Sequence, residues 1–404
     1  MRIAYLCSDP GVPITGSKGA SVHVRETCRA LRQLGHDVRV LAVRRGDGPS
    51  RGLRLHELPL TRAGQAAGRL VRSDPQGGPG TSSALRSLLA AAAVTQAAVE
   101  PLRRWRPHLI YERYALFGTA GVEVSHLLGV PLVLEVNAPL SKEHAVHRAL
   151  DLATTARAVE REVLTAADRV VAVSEPLRRW LIDLGVPARR IRVLPNGVDA
   201  DRFRVRISRV AARRQLGVEP DELVVGFAGS LRRWHDVDGL IDAVARVRAR
   251  KIKVTLVVVG DGPERARLER HGRRRLGNGC RFLGAVPHEA MPRLLAGLDV
   301  AAAPYADASE EFYFSPLKVV EYLAAARPVV AANVGPIRHC IRPGRSGWLY
   351  PPGDTDQFAE QLKAALAAPD AEVLGAAGRR HAVAKHSWRS VAAKAVHGLV
   401  PTAA

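Results

Sequence analysis

Cysteine is scarce: four in 404 residues, Cys7, Cys28, Cys280 and Cys340, with neither CxxC pairing nor metal-ligand spacing. That excludes a zinc ribbon and a disulfide scaffold, and it predicts free thiols. Long apolar runs are missing too. None approaches the roughly 20 residues that cross a bilayer. The strand-like run Met1 to Ser8 leaves no place for a signal peptide, so a cytoplasmic protein is expected. Acidic residues are outnumbered, 39 Asp and Glu against 60 Lys and Arg, for a formal charge of +21. Such a charge fits nucleic acid, an anionic membrane, or an arginine-rich coding bias. An RNP-type aromatic motif, zinc-finger spacing and a leucine-zipper repeat are all lacking, so no nucleic-acid partner is expected.

What is present is an alternation of short β-rich runs with helical stretches, which argues for parallel sheets with helices on both faces. In the first half the expected strands are Arg2–Cys7, Val38–Val43, Leu109–Tyr111, Pro131–Val136, Arg169–Val173 and Ile191–Leu194. A helix over Ser21–Leu34 is stopped by Gly35. Asp74–Ser83, rich in Gly, Pro and Ser, reads as a flexible stretch before an Ala-rich helix over Ala84–Trp105. A second series has strands at Leu223–Phe227, Val254–Val259, Arg281–Leu283, Val300–Ala303 and Val329–Ala332. The expected fold is α/β: two Rossmann-like, doubly wound domains facing across a cleft. The expected domains are 1–200, 201–385 and a tail, 386–404, that returns to the first. Such sheets bind ligands at their C-terminal strand edges.

Four constellations fall at those edges. Thr15 to Ser21 follows the first strand and opens a helix, and Gly16 and Gly19 permit close backbone approach to an anion at the helix start. The spacing departs from GxGxxG, which weakens a nicotinamide reading, and an ordinary strand–helix turn explains it nearly as well. Phe227 to Asp236 places Gly229, Ser230, Arg232, Arg233 and His235 after a strand, cations suited to a diphosphate whose charge grows as a bond breaks. Its bland alternative is a basic surface loop anchored by Trp234. Gly260-Asp261-Gly262-Pro263 is a tight turn, in which Asp261 more often bonds its own backbone than does chemistry. Phe314 to Ala324 is the densest. Ser315 is read as an N-cap, Pro316 as the first helical residue, and the free first-turn N–H groups with Lys318 as an anion site. Glu321 lies about one turn further on, where a carboxylate accepts hydrogen bonds from ribose hydroxyls; a solvated glutamate is the alternative.

These stretches, with Val193-Leu194-Pro195-Asn196-Gly197-Val198-Asp199, Phe282-Leu283-Gly284 with Val286, and Pro328-Val329-Val330-Ala331, resemble glycosyltransferase family 4, retaining enzymes of the GT-B fold. The resemblance runs from Gly16 to the tail near Trp388. It implies transfer of a sugar from a nucleoside-diphosphate donor to an acceptor hydroxyl of unknown type, with no metal and no further cofactor. It implies an acceptor-side N-terminal domain and a donor-binding C-terminal one. Glu321 would hold the ribose, and Ser315, Pro316, Leu317 and Lys318 would lie near the diphosphate. Arg232 and His235 would neutralise the leaving phosphate beside Gly229 and Ser230. Val286 would line the base pocket, and Gly16 would meet the diphosphate from the other domain. The chain departs from the family in three places. Many members carry a Glu seven positions before a second Glu, whereas here the position eight before Glu321 is Tyr313 and the nearest acids are Glu310 and Glu311. Ser230 and His235 stand where many carry Arg and Lys. Asn137 stands where an active-site His is common. These departures keep two alternatives open: a nucleotide-sugar epimerase, and a GT-B binding protein that has lost catalysis. The runs Leu102-Arg103-Arg104-Trp105-Arg106 and Leu177-Arg178-Arg179-Trp180-Leu181 add a weaker expectation of peripheral contact with anionic lipid, against solvated helix faces with a buried Trp.

Overall fold

A computed structural model describes residues 1–16, 18–50, 52–58, 62, 66, 79–147, 150–205, 207–306 and 312–399. The chain divides into two units, Met1–Pro195 with Trp388–Ala404, and Asn196–Ser387.

The first unit is built on seven parallel strands: β1 (Arg2–Cys7), β2 (Asp37–Ala42), β3 (Arg54–Glu57), β4 (Leu109–Arg113), β5 (Leu132–Val136), β6 (Arg169–Ala172) and β7 (Ile191–Val193). Their order is β3-β2-β1-β4-β5-β6-β7, so the chain reverses direction across the sheet between β1 and β4. The second unit has six: β8 (Leu223–Ala228), β9 (Val254–Val259), β10 (Cys280–Gly284), β11 (Val300–Ala303), β12 (Val329–Ala332) and β13 (Gly347–Tyr350). Their order, β10-β9-β8-β11-β12-β13, puts the reversal between β8 and β11. The central strands are apolar throughout because helices cover both faces. All six residues of β9, Val-Thr-Leu-Val-Val-Val, are buried.

Two strands carry no strong sequence signal, β3 and β13. Both are four-residue edge strands, and the Arg-Leu-His-Glu of β3 is half exposed to exposed, so no alternation marks it. The Ala-rich helix begins earlier than expected, at Pro79. Of the stretch read as flexible, residues 74–78 lie outside the described ones, and 79–83 are helical. There Thr81 donates through both its N–H (2.6 Å) and its hydroxyl (2.7 Å) to the Asp151 carboxylate.

The helix Trp388–Val396 packs on the helix Gly19–Gln33 of the first unit. Trp388 sets its ring edge-on to His23 at 5.0 Å. Arg169 donates to the carbonyls of Ala395 (3.0 Å) and His397 (2.7 Å).

In the basic–aromatic runs Arg103, Arg104, Arg106 and Arg179 are exposed while the leucines are buried. The Arg39 guanidinium lies over the Trp105 ring at 4.4 Å, Arg103 and Arg104 pair with Glu100, and Leu102, Leu177 and Leu181 are buried. Among the described residues no helix is long and apolar enough to cross a membrane.

Candidate functional site

In the second unit the residues of interest gather at the C-terminal edge of β8 and its neighbours, beside the reversal between β8 and β11. β8 ends at Ala228 and the chain turns at once through Gly229, whose N–H donates to the Val259 carbonyl at 2.9 Å. A Cβ at Gly229 would stand 2.9 Å from Lys318 Nζ and 3.2 Å from the Phe227 ring. Gly260 has φ +138°, and a Cβ there would collide with the Gly229 carbonyl. Two glycines are therefore required where the β8 and β9 loops cross.

Beneath Gly229 lies Lys318. Its ammonium is buried, finds no hydrogen-bond acceptor among the described residues, and sits over the rings of Phe227 (4.6 Å) and Tyr305 (5.2 Å). Burial drives its pKa down to about 7, against a smaller opposing pull from Glu321. An unpaired cation held against two ring faces is costly unless something anionic completes it.

His235 stands on the other side of Tyr305, ring centroids 5.3 Å apart. The Ser230 carbonyl can only accept, so the 2.6 Å contact from His235 Nδ1 is an N–H donation and leaves Nε2 with its lone pair. Burial, then Lys318, push the imidazole down to about 3; the Ser230 hydrogen bond opposes this. The ligand-free imidazole is therefore neutral rather than the cation expected from sequence. Arg232 is exposed and lies over the Trp234 ring at 5.2 Å.

The helix carrying Lys318 spans Leu317–Ala324 and starts one residue later than read from sequence, with Pro316 in the capping place. Ser315 does not cap it. The Ser315 hydroxyl instead accepts the Asn196 N–H at 3.0 Å. The first-turn N–H groups are not all free: Leu317 donates to Ser315, and Val319 and Val320 to Pro316. The positive charge here is thus mainly the ammonium rather than the helix end. One turn on, Glu321 accepts from His288 Nε2 at 2.7 Å, both side chains being mostly buried. Val286 packs partly buried against the core two residues before His288. Asp261 accepts the Gly262 N–H at 2.7 Å and faces Arg265 at 3.2 Å, a turn-holding role. Glu310 and Glu311 lie outside the described residues.

His288 and Tyr305 were not singled out from sequence. Tyr305 directly follows β11, the strand beside β8, and that position was the available signal. His288 had none, since its partner lies on a helix 33 residues away.

In the first unit, Asn137 and Gly16 also sit at C-terminal strand edges. Asn137 Nδ2 donates to Glu135 Oε1 at 2.7 Å. Glu135, buried at the end of β5, also accepts from Tyr111 (2.6 Å) and His23 (2.9 Å), with Arg113 at 3.7 Å. Burial alone would raise its pKa, but His23, Arg113 and Tyr111 together hold it down to about 2. The acceptor can only be the carboxylate, so the Asn137 amide orientation is fixed. Gly16 donates to the Pro13 carbonyl at 2.9 Å, and Arg25 donates to the Ile14 (2.7 Å) and Gly16 (2.6 Å) carbonyls, pinning this loop.

Two family models match: Glycosyltransferase Family 4 over residues 17–202, and Glycosyl transferases group 1 over residues 222–368. The D-inositol 3-phosphate glycosyltransferase of Thermobispora bispora is 30% identical over 397 residues, 95% of this chain and 90% of that protein. The enzyme of the same name from Geodermatophilus obscurus is 33% identical over 303 residues, 69% of this chain but 63% of its own length, so the chain spans less than two thirds of that relative. The crystal structure of Anabaena Alr3699/HepE in complex with UDP and glucose covers 98% of both chains with a TM-score of 0.74 at 21% identity. A likeness at that identity shows the fold, GT-B, with two Rossmann-like parallel sheets.

Proposed function

Because the chain belongs to glycosyltransferase family 4, we propose that it transfers a sugar from a nucleoside-diphosphate donor to an acceptor hydroxyl with retention of anomeric configuration. The observation that carries this reading is the Lys318 ammonium, buried without a hydrogen-bond partner at the edge of β8. A diphosphate supplies the missing counter-charge. Arg232, exposed on the loop after β8, closes on it from solvent, and the Gly229 turn lets the phosphates approach the backbone. With these two cations in place the reaction needs no metal.

Glu321 exchanges or shares its His288 hydrogen bond with the ribose hydroxyls of the donor. Val286, two residues before His288, lies beside the base. Ser315, Pro316 and Leu317 shape the approach to Lys318, and Ser230 with His235 fixes the loop that carries Arg232. Neutral His235 presents its Nε2 lone pair as a hydrogen-bond acceptor at the reacting centre. Asn137, oriented by Glu135, and the pinned Gly16 loop belong to the acceptor-side unit in this reading.

No free pair of carboxylates serves a double displacement among the described residues near Lys318: Glu321 is bound by His288, and Asp261 by its own turn and Arg265. A front-face transfer is the economical route. The bond from the anomeric carbon to the diphosphate oxygen breaks as the acceptor oxygen bonds on the same face, and the acceptor proton passes to the departing phosphate. The UDP and glucose bound in the Anabaena neighbour make UDP-sugars the first to try, and the names of the relatives make inositol phosphate the first acceptor. The test is a panel of UDP-, GDP- and dTDP-sugars screened by thermal shift, followed by NMR of the product. Retention is expected; an inverted anomer, or no donor that raises the melting temperature, overturns the proposal.

A further inference from the structure

The helix Ala371–Lys385 has two faces with different work. Its inner face packs on the Leu317–Ala324 helix, where Gly378 meets Leu323 and Gly375 meets the Ala326 carbonyl; a Cβ at Gly375 would collide with that carbonyl. Its outer face borders a cavity of about 460 Å³, lined by Arg342, Arg345, Ser346, Arg380, His381 and Lys385.

Four permanent cations share this cavity with one acid, Asp370, which pairs with none of them among the described residues. Elsewhere in the unit several arginines are paired. Arg209, Arg213, Arg246, Arg250, Arg267 and Arg275 of the same unit each meet a carboxylate. Four cations without a carboxylate partner among the described residues thus converge on one cavity. Two polar groups deepen the site. Ser346, 1% exposed, accepts the Arg342 N–H at 2.9 Å through its hydroxyl oxygen and keeps its own O–H to donate. His381 Nε2 is buried with no hydrogen-bond partner among the described residues. Gly344, at φ +69°, makes the turn that brings Arg342 and Arg345 to the same rim.

Clustered cations repel one another, and in a folded protein such a cluster is relieved by a bound anion. Guanidinium forks match phosphate oxygens in pairs, and a buried hydroxyl adds a further donor. The volume exceeds what a bare phosphate fills and falls in the range of small-ligand sites, roughly 300–1,000 Å³. Val373, 65% exposed on the same helix face, offers apolar contact to the remainder of such a ligand. We propose that this cavity is a second anion site, which binds the phosphate group of a phosphate-bearing organic molecule. It is separate from the sugar-transfer reading, which makes no use of it.

The test compares the wild type with three variants: Arg342→Gln/Arg380→Gln in the cavity, Arg270→Gln/Arg273→Gln as an equal loss of charge elsewhere, and Lys318→Met at the proposed donor site. Inorganic phosphate is titrated calorimetrically, and flotation is measured with phosphatidylglycerol vesicles against phosphatidylcholine vesicles. The cavity variant should weaken phosphate binding by about tenfold or more, while the charge control and Lys318→Met retain cavity binding. Loss of flotation in the cavity variant alone identifies the phosphate as a lipid headgroup; unchanged flotation identifies it as that of a soluble molecule. The proposal is overturned if neither probe separates the cavity variant from the charge control. Circular dichroism of each variant checks that the fold is intact, and the melting temperature should be unchanged in the two exposed arginine pairs. Because Lys318→Met reports on the donor site alone, failure of either idea is visible without the other.

Discussion

Replacing Lys318 with methionine should make the ligand-free protein more stable and its donor complex weaker. The side chains have similar length, and the change removes an ammonium that lies between two rings and makes no hydrogen bond among the described residues. The ammonium titrates at about 7 instead of 10.5. At about 1.4 kcal/mol per tenfold change in proton affinity, holding it charged costs on the order of 5 kcal/mol at low pH. Between pH 7 and 10.5 the folded protein binds fewer protons than the unfolded chain, so stability rises with pH across that window. By linkage the cost is still about 4 kcal/mol at pH 7 and falls to about 2 kcal/mol by pH 9. The ring faces of Phe227 and Tyr305 return roughly 1 kcal/mol. The methionine variant should therefore exceed the wild type by about 3 kcal/mol at pH 7, with the gap narrowing by about 2 kcal/mol at pH 9. Urea denaturation at the two pH values reads this directly. Calorimetry with the donor should show affinity reduced by roughly ten- to a hundredfold, the worth of a charge-assisted hydrogen bond. A variant no more stable than the wild type at pH 7, with the same pH slope, refutes the idea that a bare ammonium is stored beneath Gly229.

Four further outcomes follow from the geometry. Glu321→Ala should weaken donor binding by about 1.5–3 kcal/mol in a calorimetric titration, and unchanged affinity would contradict the ribose contact. His235→Ala should lower kcat more than donor affinity; steady-state kinetics showing an effect on KM alone would remove it from the reacting centre. Glu135, held at about 2 by His23, Arg113 and Tyr111 despite its burial, lends stability that is complete above about 4.5 and is lost as pH falls toward 2. Glu135→Gln should flatten that acid limb in denaturation curves while costing about 3 kcal/mol at neutral pH, and an unaltered limb would show that another group controls acid sensitivity. Transferase activity should persist in EDTA, and a loss restored by added divalent ion would contradict catalysis by Arg232 and Lys318 alone.

The core strands were legible because burial on both faces demands apolar runs: β9 is a single block of valines and leucine with one threonine. The edge strands were not, because β3 has only one apolar residue and no covered face to require more. At the site, Gly229, Lys318 and Glu321 were visible as residue types placed just after strands or at a helix start. What sequence does not carry is the partner across the fold. Ser315 has the composition of an N-cap, but the backbone N–H of Asn196 claims it first. His235 has the composition of a cation, but burial and a nearby lysine keep it neutral. Glu321 has the look of an exposed helical acid until His288, far along the chain, is brought to 2.7 Å. Each miss is a tertiary contact overriding a local preference.

The last helix, Trp388–Val396, belongs to the unit that begins the chain. On a ribosome that order has a price: the opening unit emerges first yet lacks the piece that covers its Gly19–Gln33 helix and satisfies Arg169. The following unit is one uninterrupted stretch of chain, made before that covering helix. The segment that follows the second unit is thus the one that completes the unit before it.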